Sequence, residues 1–197
     1  GIVINDMQTH FEYTPSQMTV NDLRLETGAF SELQANIKMN YKREDLADFE
    51  NKVEIEADFK PSTVSTTDLR SFYKEFAYGE EFKLQGKLQG KLNNFNLKQF
   101  SITGMEQTSF KGEASLVNSF QTENGFNINL NHTEFRSNKT DLERLLPNLL
   151  ENSIPAVVTK FGNINLVGRS MIDAKTVSFD GSALTKLGNV STNFKII

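Results

Sequence analysis

Unbroken alternation of apolar and polar residues is the feature that most limits what this chain can fold into. Val53-Glu54-Ile55-Glu56-Ala57-Asp58-Phe59 alternates without a slip, as does Phe82-Lys83-Leu84-Gln85-Gly86-Lys87-Leu88-Gln89-Gly90-Lys91-Leu92. Shorter runs repeat the pattern at Leu33–Met39, Phe126–Leu130 and Ile164–Gly168. A side-chain period of two belongs to strands with one face buried and one face wetted. Such strands assemble as antiparallel sheet. Gly86, Gly90, Gly112 and Gly168 fall in the apolar phase, where glycine marks a bend or a close approach. The expected fold class is mainly β with short helices.

Three segments read as helical. After Ser65-Thr66-Thr67, the residues Leu69, Phe72, Tyr73 and Phe76 form one stripe at helical spacing, with Thr67 or Asp68 as N-cap. Leu142, Leu145, Leu146 and Leu149 form a second stripe, which Pro147 is expected to shorten or kink. Pro155 to Phe161 is the third, with proline in its first turn.

The order of elements recurs. The two leading helices start 73 residues apart, at Asp68 and Asp141, and at the same offset Val53, Ile55 and Ala57 map onto Phe126, Ile128 and Leu130. At an offset of 77, Leu23 and Leu25 map onto Phe100 and Ile102, and Leu33, Ala35, Ile37 and Met39 onto Phe110, Gly112, Ala114 and Leu116. At an offset of 79, Phe100 and Ile102 map onto Phe179 and Gly181. The unit is thus about 75 residues and the chain holds roughly two and a half of them, in keeping with repeat architectures whose units bury their apolar faces by stacking. The expected division is a partial unit over 1–52 and full units over 53–125 and 126–197, as one continuous structure.

Composition removes most chemistries. There is no Cys and no Trp, and the only histidines are His10 and His132. A disulfide framework, a thiolate metal site and a cysteine nucleophile are excluded. No metal and no cofactor is expected. With no recognisable nucleophile elbow, the chain is not expected to be an enzyme. A net charge of −4 argues against a nucleic-acid footprint. No signal peptide and no apolar run near the roughly 20 residues of a membrane span is visible, so the chain reads as a soluble piece of something longer.

Other constellations read as structural. His132 continues the apolar phase after Leu130 and is expected to be partly buried; His10 is expected on the surface. Glu44, Asp45, Asp48 and Glu50 fit a solvated loop or helical turn, and Glu80-Glu81 a loop pair. Gly86-Lys87-Leu88-Gln89-Gly90-Lys91 lacks a phosphate-loop pattern. Lys83, Lys87 and Lys91 share the wet face of one strand, where they favour solubility and discourage edge pairing. Three formal glycosylation sequons begin at Asn131, Asn138 and Asn189.

Several stretches resemble the TamB/AsmA-like translocation and assembly module family, in its Bacteroidetes-type form. They are residues 20–27, Tyr41-Lys42-Arg43-Glu44-Asp45-Leu46-Ala47-Asp48-Phe49 continuing to Val53, residues 84–95, Thr140-Asp141-Leu142-Glu143-Arg144-Leu145-Leu146-Pro147, and Phe161-Gly162-Asn163-Ile164. The likeness lies in the ordered set over nearly the whole chain, and the family's C-terminal signature domain is not visible. The resemblance implies a segment from the repetitive middle of a long envelope protein, anchored in the inner membrane and extending through the periplasm. It implies a β-taco-like sheet curled into an apolar trough. The implied roles are phospholipid transport between membranes and outer-membrane biogenesis, including protein assembly and secretion. Implied partners are phospholipid acyl chains, neighbouring repeat units and an outer-membrane assembly protein, with no nucleic acid.

A lipid groove needs a continuous uncharged face. The alternation nominates Val53, Ile55, Ala57, Phe59, Phe82, Leu84, Leu88, Leu92, Phe100, Ile102, Phe110, Ala114, Leu116, Phe126, Ile128, Leu130, Ile164, Leu166, Val177 and Phe179. Acyl chains would be held by apolar burial, about 0.8 kcal/mol per CH₂ and non-directional. The same face would equally serve a sheet closed by helices into a dry core. A scaffold for outer-membrane protein assembly, with no lipid bound, is the alternative function.

Overall fold

The structure is a computed structural model and describes residues 1–71, 73–119, 125–150 and 154–196, the side chains at 149 and 196 excepted. Eleven strands form one antiparallel sheet: β1 (Ile4–Tyr13), β2 (Gln17–Thr27), β3 (Glu32–Asn40), β4 (Glu54–Ser65), β5 (Glu81–Lys91), β6 (Asn94–Gly104), β7 (Thr108–Val117), β8 (Asn127–Ser137), β9 (Ile164–Asp173), β10 (Val177–Thr185) and β11 (Gly188–Ile196). Spatial order follows chain order, so each strand pairs with its predecessor and successor. The sheet is not closed into a barrel, because β1 and β11 do not pair. The expected fold class, mainly β in one curled antiparallel sheet, is the observed one.

Connections alternate between two rims. One rim carries the turns before β2, β6 and β10, and a 3-10 helix (Arg43–Asp48) running into α1 (Phe49–Lys52). The other carries α2 (Thr66–Leu69), α3 (Lys139–Leu145), α4 (Pro147–Leu150), a 3-10 helix (Ala156–Phe161) and the turns before β3, β7 and β11. The first expected helix is therefore much shorter than its stripe. Its α-helical part ends at Leu69, Tyr73 and Phe76 meet edge to face in the following loop, and Phe72 lies outside the described residues. Pro147 splits the second helix by opening a new one at its own position, where its missing N–H costs nothing. The Leu149 side chain lies outside the described set. Pro155 caps the third segment, which is 3-10.

A band of bulges crosses the sheet. β2, β4, β6 and β8 each carry one residue more than both neighbours, between Val20 and Leu23, Phe59 and Ser62, Leu97 and Phe100, and Leu130 and Thr133. Asp22, Gln99 and His132 take left-handed φ values of 51°, 50° and 50° there. An extra residue bends and twists its strand. Four at one height bend the strands in concert and curl the sheet. Gly86 and Gly112 face this band at φ 147° and 150°. A Cβ on Gly86 would lie 2.8 Å from the Phe100 Cα, and one on Gly112 would lie 2.9 Å from the Thr133 Cα. The bulge also corrects one expectation: the extra residue turns His132 out to solvent and gives the inward place to buried Thr133.

The repeat is visible in hydrogen bonds. Ser65 and Asn138 cap α2 and α3, accepting from the N–H groups of Thr67 and Asp141. Asp68 and Asp141, both buried, then reach back to the hairpin preceding their strand. β2–β5 and β6–β9 are thus two copies of a four-strand arrangement, with β10 and β11 following the second.

Candidate functional site

Directly opposed residues share a face, so the ladders can be followed across the sheet as rows. One row joins Met39, Ile55, Gly90, Phe95, Leu116, Ile128, Ile172 and Val177. The next joins Ile37, Ala57, Leu88, Leu97, Ala114, Leu130, Ser170 and Phe179. Along the bulge band, Phe59 pairs with Gly86, Phe100 with Gly112, and Thr133 with Gly168, which pairs with Gly181. Beyond it run Ser62, Leu84, Ile102, Phe110, Phe135, Leu166 and Ala183. Phe82 and Ile164 lie nearest the helix-bearing rim, opposite Val64 and Ser137 respectively. Leu92 and Phe126 flank the strands at the other rim.

No position in these rows carries a charge. The polar members, Ser62, Thr133 and Ser170, are small, and backbone engages the hydroxyls of the first two. Ser62 Oγ donates to the Lys60 carbonyl and accepts from the Gln34 N–H, while Thr133 Oγ1 donates to the Gly168 carbonyl. Sequence reasoning missed Phe95, Leu97, Phe135 and Ile172 as members of this face. Their signal was present: in β6 the apolar phase runs Phe95, Leu97, then Phe100, Ile102, a one-residue slip that marks the bulge.

Burial divides the face in two. Tyr41, Val53 and Ile55 form a buried cluster with Met18, Ile37, Met39, Phe49, Leu88 and Leu92 against it. Phe49 comes from α1, so here a helix closes the sheet into a dry core. Val53 is fully buried and is a core residue, which corrects its nomination as groove lining. The Tyr41 hydroxyl donates to the Thr14 carbonyl, and its ring stacks on Tyr13 at 6.4 Å. Burial first, and then the Tyr13 neighbour, hold the Tyr41 hydroxyl above the ordinary tyrosine range.

Across β5–β10 the face is more open. Leu84, Leu88, Phe100, Ile102, Phe110, Leu116, Ile128, Leu130, Ile164 and Leu166 are half-buried, as are Phe59, Leu92 and Phe126. Phe82 and Phe179 are buried, and Val177 is exposed. A Cβ on Gly181 would sit 2.9 Å from Phe179 Cζ, so that ring occupies the space the glycine leaves.

The opposite face is polar. Lys83 and Lys87 are exposed on it and Lys91 is half-buried, with Lys91 3.6 Å from Glu54. A shallow depression of about 530 Å³ lies over β2–β6, among Lys38, Glu56, Asp58, Lys87, Gln89 and Lys98. Lys60 donates to Asp58 at 2.9 Å, and that bond, with the charges of Lys60 and Lys87, outweighs partial burial and lowers the Asp58 pKa. His10 is exposed, 3.9 Å from Asp22. Asp45 accepts from the Lys42 N–H in the helical turn that holds the acidic cluster. Glu80 is held by Arg144 through two hydrogen bonds of 2.8 and 2.9 Å, and Arg144 is raised further in pKa chiefly by this contact.

Among the described residues no group of three or more acidic or histidine side chains could hold a metal, and no helix is long and apolar enough to cross a membrane. A scan of family models, a search of curated proteins and a search of solved structures found no match to this chain.

Proposed function

We propose that this chain is one stretch of an apolar β-trough that carries phospholipid acyl chains between membranes, in a periplasmic envelope protein of the TamB/AsmA-like kind. The observation that carries this reading is the continuous uncharged face over β5–β10, half-buried at most of its positions where an ordinary core would be sealed. Such a face leaves apolar area available to an acyl chain at about 25 cal/mol per Å² removed from water. Because that attraction has no preferred direction, a chain can slide from one row to the next. The dry cluster around Val53 gives the sheet a rigid anchor at one rim. The face needs no reactive group, and the work proposed is not enzymatic.

The test is lipid extraction and mass spectrometry on chain purified without detergent, after expression in a bacterial periplasm. Stoichiometric phospholipid, displaced by a fluorescent fatty acid whose emission rises on the apolar face, is the expected result. A lipid-free chain that also fails to take up fatty acid removes this reading.

A further inference from the structure

One row on the polar face carries cations without acids. Directly opposed residues run Thr63, Lys83, Thr103, Ser109, Arg136 and Asn165, from β4 to β9. The first five line a depression of about 470 Å³ beside the β6–β7 turn. A second depression, of about 430 Å³, continues from Thr63, Lys83 and Thr103 toward Gln85 and Ser101. Among the described residues neither Lys83 nor Arg136 joins an ion pair. Among them, too, the hydroxyls of Thr63, Thr103 and Ser109 make no hydrogen bond within the protein.

Arg136 is nonetheless positioned. Its Nη2 donates to Gln107 Oε1 at 3.1 Å, and the same oxygen accepts from Asn163 Nδ2 at 3.2 Å. The Gln107 N–H is held in turn by Asp141. A guanidinium oriented by a neutral amide keeps its full charge and most of its donors. Two acids also line the depression, both on its rim side. Glu106 lies 3.6 Å from Arg144, and Glu81 opens β5, two residues before Lys83. The repeat does not ask for this arrangement. At offsets of 77 and 73, Ser109 and Arg136 correspond to Glu32 and Thr63, which are themselves opposed. From the first unit to the second, an acid has become a hydroxyl and a hydroxyl an arginine at one place in the fold. Either pair keeps a wetted face soluble, so the fold does not demand the exchange.

We propose that this depression binds an oxyanion, the phosphoryl group of a phosphate ester. Lys83 and Arg136 close on it from either side, and the Thr103 and Ser109 hydroxyls donate from the floor between them. Each strand pairing steps by about 4.8 Å, so three steps set the strands of the two cations roughly 14 Å apart. Side chains as long as lysine and arginine meet over the middle of that span. Arginine offers a planar fork to two phosphate oxygens, and lysine offers a point charge. The site lies on the face opposite the apolar rows. It therefore goes beyond the lipid reading and does not depend on what the apolar face holds.

The experiment follows amide NMR signals of the whole chain during titration with inorganic phosphate near neutral pH, at an ionic strength held constant with chloride. Saturable shifts around Lys83, Thr103, Ser109 and Arg136 are expected, with a matching change in the Arg136 side-chain N–H signal. Lys83→Gln and Arg136→Gln should each weaken binding about tenfold, the loss of one hydrogen bond to a charged group. Lys98→Gln, an exposed lysine on the same face beyond the bulge band, should leave it unchanged. All three side chains are exposed, so the fold should persist, which far-UV circular dichroism checks. Two further probes identify the source of the phosphoryl group. A response to glycerol phosphate but not to phosphatidylglycerol vesicles assigns a soluble ester. Co-sedimentation with those vesicles, absent with phosphatidylcholine and abolished by Arg136→Gln, assigns a lipid head group. Shifts that fail to saturate, that chloride alone reproduces, or that Lys98→Gln weakens as much as Arg136→Gln each overturn the proposal and leave only diffuse attraction to a basic face.

Discussion

Asp68 and Asp141, 73 residues apart, do the same work in two copies of one clamp. Asp68 Oδ2 accepts from Thr27 Oγ1 at 2.5 Å and Ser31 Oγ at 2.6 Å. Asp141 Oδ2 accepts from the Gln107 N–H at 2.7 Å and Thr108 Oγ1 at 2.9 Å. Each ties the first turn of a short helix to the hairpin two strands back. A helix of four residues such as α2 has no stability of its own, so this tie and the cap at Ser65 position it.

Replacing either aspartate by alanine should lower stability by about 2 kcal/mol, because the buried hydroxyls of Thr27 and Ser31, or the part-buried Gln107 N–H and Thr108 hydroxyl, lose their acceptor. Urea denaturation of Asp68→Ala and Asp141→Ala measures this. Similar losses at the two sites support their equivalence, and a neutral result at either would show that its clamp is dispensable.

Gly86→Ala and Gly112→Ala should each cost about 1–3 kcal/mol. The φ values are in the region that side chains rarely adopt, and the new Cβ would press on the neighbouring strand's backbone. Gly125→Ala, at φ 81° with no atom of the described residues within 4 Å of the new Cβ, separates the two causes by keeping backbone strain without the clash. Thermal unfolding of the three variants ranks them, and a harmless Gly86→Ala would contradict the close packing at the bulge band.

Ile128→Asp and Val53→Asp should part company. Ile128 is half-buried on the open face, so its carboxylate stays hydrated, and the cost is about 1 kcal/mol. Val53 is fully buried, and a carboxylate there should unfold the chain or force the acid to stay protonated. On the proposed function, Ile128→Asp remains folded and loses bound lipid. Lipid retained by a folded Ile128→Asp would remove that residue from the path.

Asp58 supplies a pH-dependent contribution with a definite sign. Its folded pKa is lowered, so the stability it adds is present above the ordinary carboxylate value and is lost as pH falls through the folded value. Lys60→Ala should return the Asp58 titration upward, toward the ordinary range. Carboxyl carbon NMR shifts through an acid titration read it directly, and an unmoved midpoint would assign the shift to Lys87 instead.

Alternation in β4, β5 and the first half of β8 made the sheet, its antiparallel sense and its wet lysine face legible from residues alone. The repeat was legible because Leu69 and Leu142 follow equivalent strands. The bulges were harder. A one-residue slip, as from Val20 to Leu23, looks like the end of one strand rather than a bend within it, and His132 was therefore placed in phase. The short α2 escaped for another reason: Leu69, Tyr73 and Phe76 keep helical spacing, but Tyr73 and Phe76 pack on each other in a loop. Val53 carried no mark distinguishing core from open face, since both demand an apolar residue. What seals it is Phe49, supplied by a helical turn from outside the alternating run.

Strand order identical to chain order also governs how the molecule comes apart. A load applied at residues 4 and 196 reaches β1 and β11 first, and among the described residues each of these has one strand partner while every strand between them has two. A strand of nine or ten residues, as at these edges, pays out roughly 30 Å of extended chain. Tension is thus absorbed in discrete steps from the outside inward, and the interior rows are the last to part.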